Sequence, residues 1–86
     1  MNTKVAQTHV WHEGACFFVS TINRESSSIL GGTFAETLVW KWDEATRQRG
    51  DLIGQTGGST DSIHAHQAMV KRLHETGKPE SEDTDD

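Results

Sequence analysis

Hydrophobic and polar positions alternate with a period of two along most of this chain. Only near its C-terminal end does the spacing become helical. Residues 5–12 have strand character. Residues 15–22 (Ala-Cys-Phe-Phe-Val-Ser-Thr-Ile) have more of it, being rich in β-branched and aromatic types. Glu13-Gly14 between them suits a two-residue hairpin turn, with Gly14 able to take positive φ. That turn predicts Trp11 opposite Cys16, Val10 opposite Phe17, His9 opposite Phe18 and Thr8 opposite Val19. Opposed residues share a face. One face would then hold Val5, His9, Trp11, Cys16, Phe18 and Ile22, and the other Ala6, Thr8, Val10, Phe17, Val19 and Thr21. Both are partly apolar, and a single helix covers only one of them.

Residues 23–32, with their serines and paired glycines, predict a loop. Alternation resumes over 33–42, with Leu38, Trp40 and Trp42 on one face and Thr37, Val39 and Lys41 on the other. A charged tip follows at 43–49, then a short fourth strand at 50–55. A five-residue loop over 43–47 would set Leu52 opposite Leu38 and Gly50 opposite Trp40, which keeps the apolar side chains on one face.

The clearest element is a helix over 59–77. Ser59, Thr60 and Asp61 are all N-cap types, Gly77 suits a left-handed C-terminal position, and Pro79 stops further continuation. Ile63, Val70 and Leu73 share a face with Met69 on its shoulder, and His66 interrupts the stripe. The expected fold is therefore α+β, β-β-β-β-α: a small antiparallel sheet of three to four strands, made of two hairpins, packed against one C-terminal helix. Residues 1–77 form the predicted domain, and 78–86 a disordered acidic tail.

Composition makes the core small. Hydrophobic residues are 33% of the chain, and much of the large apolar surface comes from Trp11, Trp40 and Trp42 and the phenylalanines. The net charge of −5 is concentrated at the end, since residues 78–86 hold one base and five acids. The remainder carries seven bases and eight acids. A nearly neutral body argues against a strongly basic nucleic-acid binder and against a mimic of DNA charge. A single cysteine, Cys16, excludes an intrachain disulfide and suggests a reducing compartment. The N-terminal residues contain no apolar leader segment, and no apolar run approaches a membrane span. A cytoplasmic protein without membrane association is expected.

Candidate chemistry is sparse. His9 and His12 are three apart on a strand and point to opposite faces; His64 and His66 are two apart on a helix and diverge. Neither pair is a chelating motif. His66 would meet His9 and Cys16 if the helix packs on their side of the sheet. The simpler expectation is a core histidine hydrogen-bonded to the sheet, and no metal or other cofactor is predicted. Cys16 with His9 as its base is the one nucleophile pairing available, but a mid-strand thiol is usually inert packing. Gly31-Gly32 and Gly57-Gly58 lack the context of a phosphate loop.

Without a catalytic constellation, the expectation is a non-enzymatic protein-binding module. It would act as an inhibitor or regulatory accessory protein of a larger assembly, of the kind phages and mobile elements carry. Trp11, Trp40, Trp42, Arg47 and Arg49 are the candidate partner-binding residues, because Trp and Arg dominate binding hot spots. The same two-faced sheet would suit a homodimer. The alternative is a nucleic-acid-binding α+β domain that uses the Arg47/Arg49 tip, with Trp40 and Trp42 stacking on bases.

Overall fold

The computed structural model describes residues 3–25, 32–59 and 61–79. The strands β1 (Thr3–His12), β2 (Ala15–Glu25), β3 (Thr33–Asp43) and β4 (Gln48–Ser59) form one antiparallel meander in sequence order. Helix α1 (Ser62–Thr76) packs across it. The described residues form an α+β slab of 44 × 36 × 19 Å, thin because one sheet face carries the helix and the other carries no second layer among the described residues.

The first hairpin follows the sequence pattern. Glu13 (φ 50°) and Gly14 (φ 86°) are both left-handed, the type I′ geometry that matches strand twist. The register pairs Trp11 with Cys16, Val10 with Phe17, His9 with Phe18 and Thr8 with Val19. A bulge between Lys4 and Ala6 takes Val5 out of the alternation, so Lys4 is the residue opposite Ile22.

The other strands are longer than their composition suggests. Asn23, Arg24 and Glu25 continue β2 instead of opening a loop, because they pair with Ala35, Phe34 and Thr33 of β3. Residues 26–31 of the predicted loop lie outside the described residues. β4 starts at Gln48 and runs to Ser59, well past the predicted 50–55.

The β3–β4 register also differs from expectation. Asp43 pairs with Gln48 around a four-residue turn, and Trp40 sits opposite Leu52, with Leu38 opposite Gln55. Asp43 closes this shorter turn itself, as its Oδ1 accepts from the amides of Ala45 at 3.0 Å and Thr46 at 3.4 Å. A shorter turn alone would invert the faces of β4. Register shifts between Trp40 and Trp42, between Val39 and Trp40, and between Ala35 and Glu36 each put an extra residue into this glycine-rich edge strand. The first of them, between Trp40 and Trp42, returns Leu52 to the Trp40 face.

Helix α1 is capped as its sequence requires. Asp61 is the N-cap, its side chain accepting from the His64 amide at 3.0 Å. Gly77 closes the other end at φ 71°, its amide donating to the Leu73 carbonyl at 2.8 Å. Ser59 ends β4, and Thr60 lies outside the described residues. The buried stripe is His66, Met69 and Leu73. Val70 lies at its border, and Ile63, two turns earlier at nearly the same angle, is 52% exposed instead of buried.

The helix covers the face of Val10, Phe17, Val19 and Val39, which join Met69 and Leu73 in the core with Ile53 and Val70 packed alongside. Burial of a side chain such as Leu73, fully inaccessible, contributes about 2 kcal/mol. His12 links β1 to the end of α1: its Nδ1 donates to the His74 carbonyl at 2.9 Å, satisfying one of the free carbonyls of the last turn. Beyond α1, Pro79 lies against Gly54, and its carbonyl accepts from Arg72 Nη1 at 2.7 Å. Residues 80–86, most of the acidic tail, lie outside the described residues.

Candidate functional site

The helix-free face is organised by register. His9 of β1 pairs with Phe18 of β2, Phe18 with Trp40 of β3, and Trp40 with Leu52 of β4. This rung and its neighbour Trp42 form an aromatic cluster. The His9 ring meets Phe18 at 5.0 Å and Trp42 edge-on at 4.4 Å, and Phe18 meets Trp40 at 5.9 Å and Trp42 at 5.6 Å. Such tilted and edge-on contacts add about 0.5–1.5 kcal/mol per pair beyond area burial. Trp42 is also held at its rim, where Nε1 donates to Glu44 Oε1 at 2.9 Å. The Arg49 guanidinium lies over the Trp40 ring, 4.7 Å from its centroid.

An open groove runs along this face. Phe18, Leu38, Trp40, Trp42 and Ile22 make its apolar floor, and Gln7, Ser20 and Gln48 contribute amide and hydroxyl groups. Lys4, Arg47 and Arg49 bring positive charge, and no carboxylate lines the groove among the described residues. None of these three cations is in an ion pair among the described residues. The one acid buried on this side among the described residues, Glu36, is engaged: Oε1 accepts from Arg24 Nη1 at 2.8 Å and Oε2 from Gln55 Nε2 at 2.6 Å.

Of the residues proposed from sequence, the structure brings Trp40, Trp42, Arg47 and Arg49 to this one groove. Trp11, 50% exposed, borders a neighbouring hollow that shares Trp42. Sequence reasoning did not single out His9 and Phe18 as part of the aromatic cluster, or Lys4 as part of the charge. The register across β2 and β3 would have revealed His9 and Phe18, but the span of that connection hid it. The bulge at Val5 hid Lys4.

The cross-fold constellation of His66 with His9 and Cys16 does not form. The helix packs on the opposite face, and His66 bonds Thr8 through Nε2 and Thr21 through Nδ1, each at 2.8 Å. Thr21 in turn meets Thr37 at 2.8 Å. Burial lowers the His66 pKa and favours the neutral ring. The Cys16 thiol is shifted the other way, raised by burial and by the charge of Glu44 against a smaller opposing effect of a backbone hydrogen bond at Phe17. A raised value keeps it protonated and weakly nucleophilic. His9 and His12 do point to opposite faces, His9 into the aromatic cluster and His12 to the helix end. Among the described residues no group of three or more His, Cys, Asp or Glu side chains is placed to hold a metal ion. No described helix is long and apolar enough to cross a membrane.

Compared with known protein families, with curated proteins and with solved structures, the chain finds no match.

Proposed function

We infer that this chain is a non-enzymatic binding module that docks a protein partner on its helix-free sheet face, as an inhibitor or regulatory accessory of a larger assembly. The observation that carries this reading is the cluster of His9, Phe18, Trp40 and Trp42 beneath Arg49, on a face with no second layer among the described residues. Aromatic side chains lose little entropy on docking, and aromatic and arginine residues together supply much of the energy at interfaces. Trp11 and Leu52, each about half exposed, extend the apolar surface on either side.

The test is capture by immobilised protein from extracts of the source organism. A single stoichiometric protein should be retained, and retention should be lost with Trp40→Ala or Trp42→Ala. It should persist with Lys71→Ala, which changes the exposed side of α1. Retention indifferent to both tryptophans would overturn the reading. The cations and rings of the groove also give some support to nucleic-acid binding, which the experiment below separates.

A further inference from the structure

We propose that the groove accepts an extended acidic segment of the partner protein, with its carboxylates held by Lys4, Arg47 and Arg49 and its apolar side chains laid on Phe18, Leu38 and Trp40. This rests on the protein-docking reading and specifies the chemistry of the partner.

Charge is the first argument. The groove's cations face no lining carboxylate among the described residues, while Glu36, buried on the same face, is already bonded by Arg24 and Gln55. An occupant that brings carboxylates is attracted, and a guanidinium can bind one in a bidentate fork. A second copy of the chain is the poorer occupant. A two-fold interface sets the same patch against itself, and here that would oppose like charges across the groove.

Ring geometry is the second argument, and it favours a peptide over a nucleic-acid strand. Base stacking needs an open ring face. Trp40 has the Arg49 guanidinium over its ring and Phe18 beside it. Trp42 is crossed edge-on by His9 and tethered to Glu44. A base would have to displace these partners, whereas a carboxylate can bond Arg49 where it lies. Gln7, Ser20 and Gln48 add hydrogen-bonding groups along the groove for an extended backbone.

The experiment uses fluorescence anisotropy with the full chain. The probes are a labelled synthetic peptide alternating Glu and Asp with Leu, the same peptide with Gln and Asn in place of the acids, and single-stranded oligothymidylate. The acidic peptide should bind, with affinity falling as salt rises, and the neutralised peptide should bind about tenfold more weakly or worse. Arg49→Ala should weaken the acidic peptide by about tenfold. Arg47→Asn should weaken it in the same direction, and Asn tolerates the left-handed φ of 57° at that position, so the turn survives.

Tighter binding of oligothymidylate than of the acidic peptide would overturn the proposal in favour of nucleic acid. Equal binding of both peptides would overturn it by removing the role of charge. The chain's own acids form one further competitor. A variant carrying Glu80→Gln, Glu82→Gln, Asp83→Asn, Asp85→Asn and Asp86→Asn should bind the peptide at least as well as the native chain. Binding seen only in that variant supports an acid-accepting groove with a competitor in cis. Binding in neither chain overturns the proposal. If capture from extract still depends on Trp40 and Trp42 while the peptide fails, only the acidic specificity falls. If capture ignores both tryptophans, the docking reading itself falls.

Discussion

His66 Nδ1 lies 2.8 Å from the Thr21 hydroxyl, and this bond joins the helix to the middle of the sheet. With Thr8 on Nε2 and Thr37 behind Thr21, the imidazole and its partners form a hydrogen-bonded chain within the core. A neutral ring satisfies it with one nitrogen donating and the other accepting. A charged ring would also find acceptors, since both hydroxyls can accept. What opposes the charge is burial.

Stability should therefore depend on pH through this residue. The folded-state pKa of His66 is lowered from 6.5, so below that value the unfolded chain takes up the proton first. The contribution is fully present above about pH 6.5 and is lost as pH falls toward the folded-state value. Denaturant unfolding across this range should show the midpoint falling with pH. His66→Gln, which keeps polar bonding without titrating, should flatten the profile relative to wild type. An identical slope in both proteins would contradict the account.

The first turn offers a stabilising change. Glu13 holds φ 50°, which costs a side chain with a Cβ, and its pairing with His12 is a loose 3.6 Å contact made by a largely exposed carboxylate. Glu13→Asn should raise stability by about 0.5–1 kcal/mol, since Asn-Gly is the preferred type I′ pair. Gly14→Ala should lower stability by about 1 kcal/mol or more. A Cβ there meets nothing within 4 Å, so that loss would come from φ 86° alone. Thermal melts of the two variants moving in opposite directions would confirm this.

Gly54 and Pro79 are coupled by close packing. A Cβ built on Gly54 lies 2.5 Å from Pro79 Cβ and 2.8 Å from its Cγ. Gly54→Ala should push the Lys78–Pro79 segment off the sheet and cost about 1–3 kcal/mol, including the Arg72 bond to the Pro79 carbonyl. Adding Pro79→Gly, which removes both Cβ and Cγ from the contact, should recover part of that loss. Strict additivity in the double-mutant cycle would rule the contact out.

Arg24 and Glu36 should behave as a unit. Glu36 is buried, and Arg24→Ala leaves its carboxylate with Gln55 as the remaining side-chain partner among the described residues. A loss of about 1–2 kcal/mol is expected. Arg24→Ala combined with Glu36→Gln should be milder than the two losses summed, because the uncompensated charge is gone. Urea unfolding of the three variants reads this directly.

Local chemistry made several elements legible from the chain alone. Glu13-Gly14 set the turn and with it the pairing of β1 and β2 in that hairpin; Asp61 and Gly77 set the ends of α1. These features depend on near neighbours, where φ preference and side-chain capping decide the outcome. Alternation put Trp40 and Trp42 on one face, and the structure brings Arg47 and Arg49 to the same groove. The tertiary structure decided the rest, because each remaining feature depends on long-range pairing. β2 extends to Glu25 because β3 lies beside it, and a bulged edge strand, with Asp43 closing the turn, places Leu52 opposite Trp40. Ile63 is exposed although it shares the helical angle of Val70. Above all, both sheet faces are partly apolar, so composition could not choose the helix side. The choice emerges where His66 finds the hydroxyls of Thr8 and Thr21 while Met69 and Leu73 meet Val10, Val19 and Val39. That packing leaves His9, Phe18, Trp40 and Trp42 on the open side.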